Sequence, residues 1–580
     1  MLVVLATLNA KFIHSSLAIH SLKKFANRYQ ENILLKEFTI NTQHEKIVEE
    51  IFDLQPNVLC FSCYIWNIEQ TKQIISVVRK ILPDTKIVLG GPEVSFSCEY
   101  LLENNFCDII VHGEGEKTFF ALLEHFIDGK KIDVIDGISY QESGVYVNQN
   151  KRVPLVLDEI PFIYDSLTEF ENRILYYESS RGCPFGCAYC LSSVDRNVRF
   201  LSLERVFSDL KFFLDNRVRQ VKFVDRTFNC DKKRTMKIWK YLIEQDNGIT
   251  NFHFEISAEI LTEEMFTLLA SARAGLFQFE IGIQSTNEET LKIINRYSNL
   301  NQLFHAIRSV QELNNIHIHL DLIAGLPQED FTSFGKSFND VYALEPQQFQ
   351  LGFLKLLKGS PLRQQADEHG IVCQDVAPYS ILFNKHISFS EMLILKNIEE
   401  SVDIFFNSQK FFYTLKFCVP LFSSAFQFYY DFSAYLKNKA FFQVQHNKMD
   451  LYNVFFEFCQ ENLLEHIDII KDMLTFDIFS NDNVKTLPYW LNAEPVATRR
   501  FYEDSKNIQK YVTSLSEYTS KQIARMCHVQ RFSINVSKWI ASGFKNIVYE
   551  ETYMLFNYTE RDYRQALGLG HSTFCEVEIQ

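Results

Sequence analysis

One short loop carries three cysteines and constrains the chain around it more than any other feature. Cys183, Cys187 and Cys190 are separated by three and then two residues, directly after the apolar run Ile174–Tyr177. A loop this short can direct three sulfurs at one soft metal centre. Its glycines and proline let the backbone wrap closely. Three thiolates are one ligand short of what a 4Fe-4S cluster needs, so the pattern predicts a cluster with one open iron.

Two other interpretations of these cysteines compete with a cluster. They could be structural thiols, or they could bind zinc together with a distant histidine. Three cysteines crowded on a glycine-bearing loop argue against plain structural thiols. No further Cys or His pair follows at the spacing typical of zinc fingers. The iron-sulfur interpretation is therefore preferred.

The cysteine spacing, with Tyr189 directly before the last cysteine, resembles the signature of the radical S-adenosylmethionine (SAM) enzymes. The resemblance implies that SAM binds the open iron and that one electron splits its sulfonium. The 5′-deoxyadenosyl radical so released would abstract hydrogen from an unactivated carbon. Cys183, Cys187 and Cys190 would then be catalytic residues as well as metal ligands, and a reductant such as flavodoxin or ferredoxin would supply the electron.

Length, charge and cysteine content set limits on the rest of the protein. A chain of 580 residues with 47% apolar residues is expected to form two to four domains with large cores. Thirteen cysteines without a recognisable secretion signal indicate a reducing cytoplasm. A net charge of −14 argues against a broad nucleic-acid-binding face, and no apolar run reaches membrane-spanning length. We expect a cytoplasmic protein without membrane or nucleic-acid partners.

Residues 1–135 alternate between strand-like and helix-like segments, which predicts a doubly wound, Rossmann-like α/β domain. Ligands of such sheets bind beyond the carboxyl ends of the strands, where glycines allow a close approach to the backbone. Cys60 and Cys63 lie three apart on a predicted strand, so their side chains should be core thiols on opposite faces. The candidate binding residues at the strand ends are Ser62, Gly90, Gly91, Glu93, Gly113 and Gly115.

The stretches Gly90-Gly-Pro-Glu93 and Gly113-Glu-Gly-Glu116 resemble the cobalamin-binding domain of cobalamin-dependent radical SAM proteins. This group includes the family of the anaerobic magnesium-protoporphyrin cyclase and the P-methylase. The resemblance implies that the strand-end residues contact cobalamin. The Asp-x-His-x-x-Gly motif, whose histidine binds cobalt in other cobalamin proteins, is missing from Asn9–His14. A structural or capping role is the preferred interpretation of His14.

Three further segments complete the predicted organisation. Residues 136–172 form an ordered linker with a small hairpin, and residues 371–580 form a mainly helical, aromatic-rich domain. This last part resembles an uncharacterised C-terminal domain attached to some cobalamin-dependent radical SAM proteins. Between them, residues 173–370 carry six β-α units, which favours a partial TIM-type barrel. The predicted barrel strands are Leu175–Tyr177, Val221–Val224, Phe252–Ile256, Leu276–Ile283, Ile316–Ile323 and Phe349–Leu354.

Polar residues near the carboxyl ends of these strands are the candidates for binding SAM. Asp225 could hold the ammonium group, and Glu255 could take the ribose hydroxyls. The strands around Gln284 and Asp321 are similar to those of oxygen-independent coproporphyrinogen dehydrogenase, another radical SAM enzyme. That similarity implies SAM contacts for Gln284, Arg296 and Asp321. The full expected SAM set is Tyr189, Asp225, Glu255, Gln284, Arg296 and Asp321.

The combined resemblance implies a cobalamin-dependent radical SAM methyltransferase that acts, through methylcobalamin, on an unactivated carbon of an unknown small molecule or peptide. The first alternative is a cyclase, oxidoreductase or rearrangement enzyme that uses cobalamin without methyl transfer. A tRNA methylthiolating enzyme is disfavoured because Cys60, Cys63, Cys98 and Cys107 suit a second cluster poorly and the chain is acidic. A non-catalytic iron-sulfur protein would need no SAM pocket.

Overall fold

A computed structural model describes residues 1–96, 98–142, 144–484, 486–491, 495–561 and 572–578. The chain divides into two compact units. The first comprises Met1–Ser271, Lys292–Ser298 and Phe353–Lys385, and the second comprises Ala272–Leu291, Asn299–Gly352 and His386–Gln580. Within the residues that the structure describes, no helix is both long and apolar enough to span a bilayer.

The amino-terminal part of the first unit is built on a seven-stranded sheet. Its strands are β1 Val3–Asn9, β2 Ile33–Thr39, β3 Val58–Ser62, β4 Lys86–Gly90, β5 Ile109–Val111, β6 Ile138–Glu142 and β7 Val145–Asn148. They lie in the order β2-β1-β3-β4-β5-β6-β7. The first five are parallel, which confirms the Rossmann-like fold, and β6 and β7 join antiparallel. The accompanying helices are α1 Leu17–Phe25, α2 His44–Leu54, α3 Ile68–Ile81, α4 Cys98–Glu103 and α5 Glu116–Asp128.

Apolar side chains cover both faces of this sheet, as expected of a parallel sheet between helices. β1 is buried along its whole length. Cys60 and Cys63 belong to the two different apolar clusters, so they are core thiols on opposite faces, as predicted. His14 lies within 2.6 Å of the Tyr176 hydroxyl through its Nδ1 atom. The predicted hairpin, β6 and β7, forms one edge of the sheet.

Three strands of the predicted barrel lie in the first unit, and the other three belong to the second. In the first unit, β8 Leu175–Tyr177, β11 Gln220–Phe223 and β12 Asn251–Glu255 are parallel neighbours, and β9 Ser180–Arg181 pairs with β10 Arg199–Phe200. In the second unit, β13 Phe277–Gln284 runs parallel to β14 His317–Ala324, and β15 Gln348–Phe353 lies beside β14. All six barrel strands lie within one residue of their predicted bounds.

Helices follow the barrel strands along the chain and complete the β-α units. They are α6 Leu203–Asp215, α7 Lys232–Glu244, α8 Glu263–Leu269, α9 Glu288–Ile293, α10 Leu300–Glu312 and α11 Phe331–Tyr342. Four of them begin at a polar residue whose side chain accepts a backbone N–H bond, namely Ser202, Asp231, Asn299 and Asp330. Short elements then close the first unit, namely α12 Pro361–Gln364, α13 Ala366–His369, β16 Val372–Cys373 and β17 Ile381–Phe383.

The carboxyl-terminal part of the second unit is mainly helical, as predicted. Its helices are α14 Phe389–Ser401, α15 Phe412–Cys418, α16 Ala425–Asn438, α17 Lys448–Asn462, α18 Ile467–Asn481, α19 Pro495–Glu503, α20 Ser505–Tyr511, α21 Ser520–Met526 and α22 Val536–Ala541. A small antiparallel sheet contains β18 Cys527–Phe532, β19 Thr552–Arg561 and β20 Ser572–Val577. Asn535 caps α22 by accepting the Lys538 N–H.

Candidate functional site

The cysteine loop follows β8 and is held closely by its own backbone. Cys183 donates its N–H to the Asp195 carbonyl over 3.0 Å, and Cys190 donates to Cys187 over 3.1 Å. Gly182 has φ +97°, and a Cβ there would lie 2.3 Å from the Asn197 carbonyl oxygen, so only glycine fits. Cys183 and Cys187 are only 9% and 8% exposed. The loop therefore presents shielded thiols from a fixed backbone, which suits a cluster.

Asp225, two residues after β11, is buried at the base of this loop. Its Oδ2 accepts the Ser179 N–H over 2.9 Å, and its Oδ1 accepts the Ser179 and Ser180 hydroxyls over 2.7 and 2.5 Å. Burial raises the pKa of Asp225, while the bonds from Ser180 and Ser179 oppose that shift. Most of its accepting capacity is therefore used to hold the two residues that lead into the loop, and the predicted contact with the SAM ammonium stays untested.

Arg296 lies against the cysteine loop from the segment 292–298. Its Nη1 is 3.8 Å from the Cys187 Sγ. Ala188 in the loop donates its N–H to the Ile294 carbonyl over 2.8 Å. Burial works to lower the pKa of Arg296, but Tyr189 and Cys187 together keep it above its usual value. The structure thus brings together Arg296, Tyr189 and the cysteines, and supplies a permanent cation beside a thiol.

The other predicted SAM residues lie at strand ends. Glu255 is the last residue of β12 in the first unit. In the second unit, Gln284 ends β13 with φ 73°, at a register irregularity against β14. Such strained strand ends are typical of functional sites. The Asp321 Oδ1 on β14 lies 3.3 Å from the His319 Nε2. A carboxylate oxygen of Glu280 lies within 4.8 Å of both side chains, so the three could hold a metal ion.

A cavity of about 1180 Å³ opens at the carboxyl ends of β1, β3, β4 and β5 in the first unit. This exceeds the ~300–1,000 Å³ of an ordinary small-ligand pocket. A Cβ on Gly113 would meet no atom within 4 Å, so this backbone borders open space that a flat ligand could approach. Five of the six predicted strand-end residues line the cavity, namely Ser62, Gly90, Gly91, Gly113 and Gly115. The size and the glycine lining fit a group as large as cobalamin.

The sixth residue, Glu93, is turned into the protein. The Tyr379 hydroxyl donates to its Oε1, and the Lys358 Nζ lies 3.0 Å from the same oxygen. Glu93 is only 5% exposed. These contacts are with the segment that closes the first unit, and the Gly-Gly-Pro-Glu motif alone did not indicate them.

Charged residues that sequence reasoning did not select form a network where the cavity meets the cysteine loop. Arg181 pairs with the Glu116 Oε1 over 2.5 Å and with the Glu178 Oε2 over 2.9 Å. Arg199 pairs with Glu114. Burial works to raise the pKa of Glu114, but the bonds from Arg199 and the Leu155 N–H, with the charges of Arg181 and Arg199, together hold it below its usual value. The repeated Gly-Glu pattern at 113–116 could have indicated this network, because two carboxylates at the end of a buried strand need positively charged partners.

The matches to protein families follow the same division. Residues 3–123 match the B12 binding domain, residues 177–341 match the radical SAM superfamily, and residues 367–556 match a protein of unknown function, DUF4080. The three matches fall in the regions predicted to be cobalamin-binding, barrel and uncharacterised.

Individual relatives cover only part of the chain. An uncharacterised methyltransferase of Pyrococcus horikoshii is 29% identical over 44% of this chain and 57% of its own length. The cobalamin-dependent radical SAM methyltransferase TokK of Streptomyces tokunonensis is 25% identical over 56% of this chain and 51% of its own length. An anaerobic magnesium-protoporphyrin IX monomethyl ester cyclase of Rubrivivax gelatinosus is 22% identical over 52% of this chain and 57% of its own length. The chain thus spans little more than half of each relative.

Solved structures show the same fold. The cobalamin-dependent SAM radical enzyme OxsB aligns with a TM-score of 0.57 at 16% identity, over 82% of this chain and 79% of OxsB. The radical SAM methyltransferase TsrM of Kitasatospora setae aligns with a TM-score of 0.54 at 16% identity, over 65% of this chain and 79% of TsrM. The chain accordingly combines an amino-terminal B12-binding domain, a radical SAM domain and a carboxyl-terminal DUF4080 domain.

Proposed function

We propose that this protein is a cobalamin-dependent radical SAM enzyme that methylates an unactivated carbon of an unknown small molecule or peptide. One observation carries the proposal. The cavity at the strand ends of the B12-binding domain is also lined by Glu178, Arg181, Leu191 and Asp195, which flank the three cysteines. A corrinoid in the cavity would therefore adjoin a cluster on the loop. A cobalamin site alone, or a cluster site alone, would not need the cavity to border the cysteine loop.

The residues of the chain have distinct tasks in this proposal. Cys183, Cys187 and Cys190 ligate the cluster, and Arg296 with Tyr189 stabilises the loop and meets the SAM carboxylate. Glu255 and Asp321 would accept hydrogen bonds from SAM, and the Gln284 amide would either donate to SAM or accept from it. Asp225 acts as a positioning residue through Ser179 and Ser180. When bound, the cluster supplies the electron, SAM the radical and the methyl group, and cobalamin the methyl carrier.

The printed names of the relatives support methyl transfer as the outcome. Two of the most similar are named methyltransferases, and a third is a carbapenam methyltransferase of Streptantibioticus cattleyicolor. The magnesium-protoporphyrin cyclases keep cyclisation as the second candidate. The same proposal includes the domain boundaries 1–135, 136–172, 173–370 and 371–580, flavodoxin or ferredoxin as reductant, and a cytoplasmic location.

The test begins with the full chain, reconstituted anaerobically with iron, sulfide and cobalamin. With methyl-labelled SAM and a reductant, we expect 5′-deoxyadenosine to form and label to appear on the bound corrinoid. Cys187→Ala should bind less iron and form neither 5′-deoxyadenosine nor labelled corrinoid. Cys575→Ala, which changes an exposed thiol, should match the unaltered chain in all three measurements. Failure of the unaltered chain to retain cobalamin would refute the proposal. 5′-Deoxyadenosine without label on the corrinoid would favour the cyclase or rearrangement alternative.

A further inference from the structure

One wall of the cavity comes from outside the matched B12 binding domain. That match ends at residue 123, yet the cavity is also lined by residues between positions 137 and 155, among them Tyr146, Asn148, Lys151 and Arg152. β6 pairs with β5 through Ile138 and Val111, and β7 pairs with β6 through Asn148 and Ser139. This pairing carries the hairpin alongside the strand-end residues. The wall is thus a built extension of the binding site.

A hydrogen-bond network centred on Ser139 fixes the side chains of this wall. Its hydroxyl lies 2.7 Å from the His112 Nε2 and 3.1 Å from the Tyr146 hydroxyl, and it donates to the Asn148 Oδ1 over 3.0 Å. Burial lowers the pKa of His112, a hydrogen bond with the Ser95 backbone opposes that shift, and the nearby charge of Lys151 adds to it. The permanent positive charges of the wall are those of Lys151 and Arg152.

Two hydrogen bonds fix the Arg152 guanidinium and leave other N–H donors available to a ligand. Its Nε donates to the Thr118 Oγ1 over 2.7 Å, and its Nη2 donates to the Asp136 carbonyl over 3.1 Å. These two bonds use two of the five N–H donors of a guanidinium. Lys151 lies next to it on the cavity wall and is exposed. Within the residues that the structure describes, neither cation pairs with a carboxylate, whereas the third cation of the cavity, Arg181, pairs with Glu116 and Glu178.

We propose that Lys151 and Arg152 bind the phosphodiester in the nucleotide tail of cobalamin, which makes the hairpin wall the element that selects a complete corrinoid. The assignment rests on the proposed function. The amide side chains of the corrin are neutral, so the phosphodiester is the one anionic group of the tail. Charge-assisted hydrogen bonds from lysine and arginine are the usual way in which proteins hold phosphate. The two cations without carboxylate partners are therefore the matching site.

Cobinamide tests this assignment, because it keeps the corrin and its amides but lacks the phosphate, ribose and base. The dissociation constants of aquocobalamin and of aquocobinamide are measured by absorbance titration of the full, cluster-reconstituted chain. Lys151→Met should weaken cobalamin binding about 10-fold, as expected for loss of one charge-assisted hydrogen bond, and leave cobinamide binding unchanged. Arg152→Lys, which keeps the charge, should weaken cobalamin binding less than Arg152→Met. Lys131→Met, an exposed change outside the cavity lining, should alter neither constant.

Salt supplies an independent readout. Cobalamin binding by the unaltered chain should weaken with added salt more than cobinamide binding, and Lys151→Met should reduce that difference. Equal weakening of both corrinoids by Lys151→Met, or no weakening of either, would overturn the assignment. If the unaltered chain binds cobalamin but Lys151→Met does not distinguish cobalamin from cobinamide, this inference is refuted and the proposed function stands. Binding of neither corrinoid would refute both.

Discussion

Replacing Arg181 by methionine tests whether the charged network at the cavity stabilises the cysteine loop. The Arg181 side chain is 17% exposed, and that of its partner Glu116 is 6% exposed. Removing one partner of a buried ion pair costs about 3–5 kcal/mol, because the remaining charge has no counter-ion. Water still reaches Arg181 and Glu178, which places the expected loss in the free energy of unfolding at the lower end, about 3 kcal/mol.

The loss should be local, because Arg181 is two residues from Cys183. Hydrogen–deuterium exchange of the full chain should show faster exchange in peptides covering residues 178–199, and denaturant unfolding should give the free energy. Lys211→Met removes one partner of an ion pair whose side chains are 65% and 59% exposed, and should change neither measurement.

A double-mutant cycle decides whether the pair is the cause. Glu116→Gln removes the most buried of the carboxylates that pair with Arg181, so adding Arg181→Met to it should cost less than Arg181→Met alone. Additive losses, or a free energy of unfolding of Arg181→Met within about 1 kcal/mol of that of the unaltered chain, would show that the network does not stabilise the loop.

Three further predictions concern single residues. Gly182→Ala should lower the iron bound per chain, because its Cβ would overlap the Asn197 carbonyl, and normal iron content would contradict this. Asp225→Asn should cost about 1–3 kcal/mol in denaturant unfolding, since one amide cannot accept all three serine bonds. Burial raises the pKa of Asp477 to about 7, so the native state binds its proton more tightly than the unfolded chain. Stability should therefore fall as pH rises from about 4 to 7, and Asp477→Asn should flatten that slope, which denaturant unfolding at several pH values measures.

The parts of the protein that sequence reasoning predicted depend on local pattern. The six barrel strands are visible as apolar runs, and Cys183, Cys187 and Cys190 are visible by spacing. Partners distant in sequence were not predictable in this way. Asp225 is polar at a strand end, as a ligand-binding residue would be, but its hydrogen bonds go to Ser179 and Ser180. The strand-end pattern cannot separate a residue that binds a ligand from one that supports the binding loop.

The hairpin shows the same limit at the level of an element. Its two strands were predicted, but alternation of apolar and polar residues does not specify the neighbour with which an edge strand pairs. The pairing of Ile138 with Val111 is what turns a connecting segment into a cavity wall.

The contact between Glu93 and Tyr379 joins residues 286 positions apart in the sequence. It has a consequence for anyone who dissects or recombines this protein. A fragment ending near residue 135 would contain the whole predicted cobalamin domain, but the Glu93 carboxylate would lose both the Tyr379 hydroxyl and the Lys358 ammonium. A chimaera that exchanges the amino-terminal domain should therefore carry residues 353–385 from the same parent.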